Sequence, residues 1–249
     1  MNHYAFGTGD RPFVIIPGTS VKSIMLAAQG VRSAYACFGE KYTVYLIDYK
    51  RYTDGGYSIK DMAEEIAEYL KKLGVEGADV LACSLGGMIA QHIAVDHPEL
   101  IHKLVLASTI SRHNEVSAAT IGMWRDLAEA GDIAALNRSV WEHIYSEEFL
   151  ERHKKVMASI EREGTAEEMK ELAAEMDACL RFDVYDELDE IKCPVFVIGS
   201  WKDRTLSPKG AVEIAEKLGC ELYMYDGYSH AAYDEAPDYK ERLMSFFDK

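Results

Sequence analysis

The chain lacks the basic excess that a nucleic-acid-binding surface needs. Its 27 lysines and arginines stand against 42 acidic residues, a formal charge of −15, so no nucleic-acid partner is expected. No apolar run approaches the roughly 20 residues of a membrane span, so no membrane partner is expected either. The opening residues Met1-Asn2-His3-Tyr4-Ala5-Phe6 carry neither a basic region nor an apolar core; the reading is no signal peptide and a cytoplasmic protein. Cysteines are few, at 37, 83, 179, 193 and 220, odd in number and without C-x-x-C spacing. That predicts reduced thiols and excludes a disulfide framework or a zinc site. No His, Cys or acidic pair has a metal-ligand spacing, so neither metal nor cofactor is expected. Internal repeats, low-complexity tracts and long linkers are missing as well.

What is present is a globular composition, 48% hydrophobic over 249 residues, enough for one large domain or one domain carrying an insertion. Residues 2–6 read as a short edge strand. β-Branched or apolar runs at 12–16, 43–47, 80–83 and 103–107 read as buried strands. Between them lie a Gly-containing loop at 54–57 and a helix capped by Ser58, with apolar positions 59, 62, 66, 69, 70 and 73 and a stop at Gly74. Another helix runs from Ser84 to about His97, ahead of Pro98. From 110 to 186 no strand is expected, only about four helices, with Asp132 and Thr165 as caps. Strands at 193–199 and 220–225 then alternate with helices at 208–218 and 237–247. Strands separated by helices imply an α/β fold with a mostly parallel sheet and right-handed crossovers.

The chain is organised around Val80-Leu81-Ala82-Cys83-Ser84-Leu85-Gly86-Gly87-Met88. Strand, sharp turn and helix in that order lift the Ser84 hydroxyl onto a strained corner beside the amides that open a helix. Residues two before and two after the serine must be small, and here they are Ala82 and Gly86. The more usual G-x-S-x-G has glycine where this chain has Ala82.

In an open parallel sheet the functional loops gather beyond the carboxyl ends of the strands. Those loops hold Pro17-Gly18-Thr19-Ser20, Ser84, Trp201-Lys202-Asp203-Arg204 and Tyr228-Ser229-His230. A serine hydroxyl needs a base within hydrogen-bond reach and a third group to orient that base. His230 and Asp203 suit those roles by location. His113 is the serious competitor; His3, His92, His97, His102, His143 and His153 lie near the terminus or on helices away from the strand ends. Serine, aspartate and histidine in loops after successive parallel strands follow one particular chain order.

With these residues the sequence resembles the α/β-hydrolase fold superfamily, of the small capped serine-hydrolase, esterase-like kind. The resemblance runs from Pro17-Gly18-Thr19 through the Ser84 elbow and Asp96-His97-Pro98-Glu99-Leu100 to Lys103-Leu104-Val105-Leu106. It resumes at Ile191-Lys192-Cys193-Pro194-Val195, Asp203 and Gly227-Tyr228-Ser229-His230. It implies a core of residues 1–109 and 187–249 with a helical cap at 110–186. It further implies Ser84 as nucleophile, His230 as general base and then acid, and Asp203 as its orienting group. The backbone N–H groups of Thr19 and Leu85 would form the oxyanion hole. Pro17 departs from the His-Gly that many relatives carry before the oxyanion residue.

The implied substrate is a small-molecule carboxylic ester or related acyl compound, cleaved through an acyl-enzyme without cofactor. Carbon–carbon bond hydrolases, enol-lactonases, thioesterases and cofactor-free haloperoxidases share the triad, and a silent, ligand-binding member of the fold is the reading from another class. Dehalogenases and epoxide hydrolases need a carboxylate where Ser84 stands. Met123, Trp124, Trp141, Ile144, Tyr145, Phe149, Met176 and Phe182 are numerous enough to roof an apolar cleft. Of these, Trp124, Trp141, Tyr145 and Met176 are the substrate-binding candidates, though packing of the cap accounts for most such residues. Arg112, Arg125 and Arg181 are candidates for gripping a substrate carboxylate. The oligomeric state, monomer or homodimer, is not legible.

Overall fold

The computed structural model describes residues 1–53 and 56–249; of the expected loop at 54–57, Asp54 and Gly55 lie outside the described residues. Among the described residues seven strands form one sheet in the order β1-β3-β2-β4-β5-β6-β7. They are β1 (Asn2–Phe6), β2 (Arg11–Ile16), β3 (Tyr42–Asp48), β4 (Ala78–Cys83), β5 (Ile101–Ala107), β6 (Val195–Ser200) and β7 (Glu221–Tyr225). Among the described residues only the edge strand β1 runs antiparallel in the sheet, Asn2 facing Asp48 and Phe6 facing Val44; the other strand pairs are parallel.

The central strands are buried on both faces, as parallel strands covered by helices must be. Along β4 alternation sends Val80 and Ala82 to one apolar cluster and Leu81 and Cys83 to the other. The first cluster receives the helices α2 (Ile59–Lys72), α3 (Leu85–Asp96) and α8 (Pro208–Leu218). The second is the more aromatic: Phe38, Tyr42 and Phe247 surround Phe13 there, with ring centroids 4.8–5.6 Å from its own. It is closed by α1 (Ala28–Ala34) and, near the carboxyl terminus, by α9 (Ala232–Glu235) and α10 (Tyr239–Phe247).

Local chemistry sets the helix ends. Ser58 caps α2 in a reciprocal pair with Asp61, and Gly219, at φ 59°, closes α8 in the left-handed conformation that glycine tolerates. Between β5 and β6 lie four helices, α4 (Glu115–Glu129), α5 (Ile133–Ile144), α6 (Glu147–Ile160) and α7 (Ala166–Leu180). Asn114, Asp132, Ser146 and Thr165 cap them in turn. α4 packs along α7, and Ile121, Trp124, Leu136, Leu172 and Met176 join the first cluster, so the segment shares the core of the sheet. Its two ends meet at an isolated antiparallel bridge between Arg112 and Asp183.

The chain leaves β2 for β3 on one side and returns to β4 on the other. That change of direction opens a crevice at the carboxyl ends of β2 and β4, where open sheets bind ligands. The loop 17–22 and Ser84 lie there.

Candidate active site

Ser84 follows β4 directly and precedes the first residue of α3, with φ 53° and ψ −119°. A non-glycine residue with positive φ is costly and persists only where its surroundings over-determine it. Here its N–H donates to the Ala107 carbonyl at 2.9 Å, and its own carbonyl accepts from the Thr109 hydroxyl at 2.8 Å. Gly86 explains the small residue after the serine. A Cβ there would sit 2.2 Å from the Ile16 carbonyl oxygen and 2.6 Å from that of Pro17. A Cβ on Gly18 would lie 3.0 Å from the Ser84 Cβ, so the loop after β2 passes directly against the serine. Leu85, the first residue of α3, has no intrahelical partner for its N–H. That N–H and the N–H of Thr19 make no hydrogen bond among the described residues.

Asp203, in the turn after β6, and His230, after β7, form a buried pair with Nδ1 2.9 Å from Oδ2. The other oxygen of Asp203 accepts the N–H groups of Thr205 and Leu206 at 2.8 and 2.9 Å. Burial by itself would raise the Asp203 carboxyl. His230 and the two amides outweigh it and hold the group below its ordinary value, as a carboxylate. The hydroxyl of Ser108, a second residue with positive φ (46°), donates to the His230 carbonyl at 2.7 Å. Adjacent residues at the end of β5, Ser108 and Thr109, therefore anchor the histidine and the serine respectively.

His113 is engaged elsewhere: its ring nitrogens meet the Ser117 hydroxyl at 3.1 Å and the Cys179 carbonyl at 2.7 Å. Trp141 and Tyr145 line an apolar cleft of about 400 Å³ together with Gly18 and Thr19. Trp124 and Met176, in contrast, are core side chains, the Trp124 indole donating to the Ser139 hydroxyl at 3.0 Å. The arginines are committed away from the cleft. Arg112 pairs with Glu213 and stacks on Tyr185, Arg125 pairs with Asp126 and Asp177, and Arg181 donates to the Tyr57 carbonyl.

Three polar side chains escape sequence reading. Ser108 is an unremarked serine after a strand, and nothing in its spacing marks it. Asp234 reaches the same cleft and, among the described residues, has only the Tyr145 hydroxyl, 3.3 Å away, as a side-chain hydrogen-bond partner. Burial pushes its carboxyl above the ordinary value, against the attraction of Lys240. Glu175 on α7 is 3% exposed and accepts from the Thr19 hydroxyl. The one signal for it is an acidic residue flanked by Leu172, Met176 and Cys179 on the apolar stripe of its helix.

A chain of this topology, with a strained serine after β4 and a buried histidine–carboxylate pair after β6 and β7, is of the α/β-hydrolase type. Residues 36–237 match the family described as alpha/beta hydrolase fold, and the chain belongs to that family. Among its relatives is "Putative carbamate hydrolase RutD" of Rhizobium rhizogenes, 29% identical over 192 residues, which cover 76% of this chain and 73% of that protein. Another is 3-oxoadipate enol-lactonase 2 of Acinetobacter baylyi, 22% identical over 211 residues, 82% of this chain and 76% of the relative. In fold the chain is similar to the enol-lactonase from Burkholderia xenovorans, with a TM-score of 0.85 at 20% identity over 100% of this chain and 96% of that one.

Proposed function

We propose that the chain is a serine hydrolase of small acyl compounds, with Ser84 as nucleophile, His230 as base and Asp203 as the group that orients the imidazole. The observation that carries the reading is that the Ser84 corner and the buried His230–Asp203 pair are held by adjacent residues, the Thr109 hydroxyl on the Ser84 carbonyl and the Ser108 hydroxyl on the His230 carbonyl. With Nδ1–H donated to Asp203, the other ring nitrogen of His230 is left to accept the serine proton. The alkoxide adds to the substrate carbonyl, and the oxygen that gains charge takes hydrogen bonds from the N–H groups of Thr19 and Leu85. Each such donor contributes roughly 10²–10³-fold in rate. Collapse expels the leaving group, protonated by His230, and water cleaves the acyl-enzyme by the same steps. The helices α4–α7 act as the cap, and Trp141 and Tyr145 from α5 and its C-cap form the wall of the acyl or leaving-group site.

The relatives' names widen the substrate class to carbamates and enol lactones, whose carbonyls are open to the same attack. The test is fluorophosphonate labelling of the wild type beside Ser84→Ala, followed by turnover of p-nitrophenyl esters, a carbamate and a lactone. Labelling and turnover present in the wild type and lost in Ser84→Ala, at least ~10³-fold for turnover, are expected. Full turnover by Ser84→Ala would sink the mechanism, and a folded wild type that takes no label would bring forward the ligand-binding reading.

A further inference from the structure

The loop that carries Thr19 is held by three side chains, two from one side and one from the other. From the loop after β3, the Tyr49 hydroxyl donates to the Gly18 carbonyl at 3.1 Å. From the same loop, Arg51 spends its guanidinium on the carbonyls of Val21 (2.7 Å) and Lys22 (2.9 Å) and on the Ser20 hydroxyl (3.1 Å). The third hold comes from the helices opposite: Glu175 of α7 accepts from the hydroxyl of Thr19 itself. We propose that Glu175 is a positioning residue, through which the α4–α7 helices set the Thr19 amide that receives the oxyanion. The inference rests on the hydrolase reading above.

The chemistry of the site favours the uncharged acid for this task. Glu175 Oε2 is buried and has no hydrogen-bond partner among the described residues. The cation that acts on it, Arg51, makes no ion pair with it among the described residues and donates instead to the Val21 and Lys22 carbonyls and the Ser20 hydroxyl. A buried carboxylate without an ion pair takes up a proton instead of bearing the desolvation cost. Burial accordingly pushes the Glu175 carboxyl above its ordinary value, with Glu171 on the same helix adding to the rise and Arg51 and Thr19 opposing it. Arg125 of α4, the helix packed along α7, is turned to Asp126 and Asp177. The other titratable neighbours, Tyr49 and Cys179, are pushed well above their ordinary values by burial. Ionisation of Glu175 would put a negative charge next to the loop that must accept a negative oxygen, and would oppose the transition state.

The test is the pH profile of kcat and KM on a p-nitrophenyl ester between about pH 6 and 9.5, for wild type, Glu175→Leu, Glu175→Gln, Thr19→Val and the Thr19→Val/Glu175→Leu double variant. Glu175→Leu is expected to lower kcat about 10- to 100-fold with KM within about threefold, the sign of an interaction used in the transition state. Glu175→Gln should restore most of that loss at neutral pH and hold its rate at the alkaline end, where the wild type declines. Thr19→Val should lose as much as Glu175→Leu, and the double variant no more than either, because both break one link. If Glu175→Leu fails to fold, Thr19→Val and the Glu175→Gln profile still decide. Wild-type and Glu175→Gln profiles that superpose, or losses that add, overturn the inference. Fluorophosphonate labelling separates the two levels. A wild type that is neither labelled nor active removes the hydrolase reading, whereas a labelled, active wild type with unchanged Thr19 and Glu175 variants removes only the positioning role.

Discussion

His92, on α3, is 6% exposed, lies edge-on to Phe182 at 5.6 Å, and has no partner for its Nδ1 among the described residues. Burial lowers its pKa from the ordinary 6.5. The unfolded chain therefore binds more protons than the folded one as pH falls below 6.5, and stability is lost in that direction. Asp203 works in the same direction but lower down, its contribution being present above 3.8 and lost as pH falls beneath it. Glu175 has the opposite sign, since a carboxyl raised above 4.5 costs stability as pH rises from there. His92→Leu removes the unpartnered nitrogen at similar volume. It is expected to match or exceed wild-type stability at about pH 5.5 and to flatten the pH dependence between about 5.5 and 7. Urea unfolding at several pH values checks this; a variant as pH-sensitive as the wild type would assign the dependence to other groups.

At the scale of elements, the strands and helices that position the site were open to prediction because their signals are chemical. Runs such as Phe13-Val14-Ile15-Ile16 and Val195-Phe196-Val197-Ile198 leave few alternatives to a buried strand, and each became one. The expected helix over 59–73 and the break at Gly74 agree with α2. Helix α1 was not legible. Ala28-Gln29-Gly30-Val31-Arg32-Ser33-Ala34 has a single buried residue, a glycine and no side-chain cap, so neither periodicity nor punctuation marks it. The same is true of α9, a single turn after His230. The site divides likewise: Ser84, Asp203 and His230 announce themselves by position at strand ends. Glu175 and Ser108 make contacts that exist only when distant segments meet.

Asn114 shows how an element's end supports the site. It caps α4 in a reciprocal pair with Ser117, and its amide donates to the Leu206 carbonyl at 2.8 Å, on the residue whose N–H holds Asp203. Asn114→Ala should cost about 1–2 kcal/mol of stability from the lost cap and reduce kcat more than KM through the Asp203 turn. Thermal denaturation and steady-state kinetics measure the two effects; an unchanged kcat would leave Asn114 a helix cap alone.

At the scale of the molecule, the charge of −15 surrounds the cleft with a field that disfavours the approach of anions and leaves neutral compounds unaffected. Salt screens such a field, the Debye length falling to about 8 Å near physiological ionic strength. For an ester carrying a remote carboxylate, kcat/KM is expected to rise severalfold between roughly 10 and 150 mM salt, while a neutral ester of the same size changes little. Equal salt responses for the two would mean that the local field at the entrance differs from the net one.

The bridge between Arg112 and Asp183 brings the departure and return of the four-helix segment side by side. In engineering terms the segment is a cassette with adjoining ends, so one borrowed from a relative would need to span a single short gap. Its fit would be judged at three sockets: the Thr19 hydroxyl that Glu175 meets, and the Ser229 hydroxyl and Ala231 N–H that donate to the His143 and Ile144 carbonyls. A graft that keeps an acceptor at each socket keeps the contacts that hold Thr19 and the 229–231 turn beside His230, and is free to vary the rest of its surface toward the cleft.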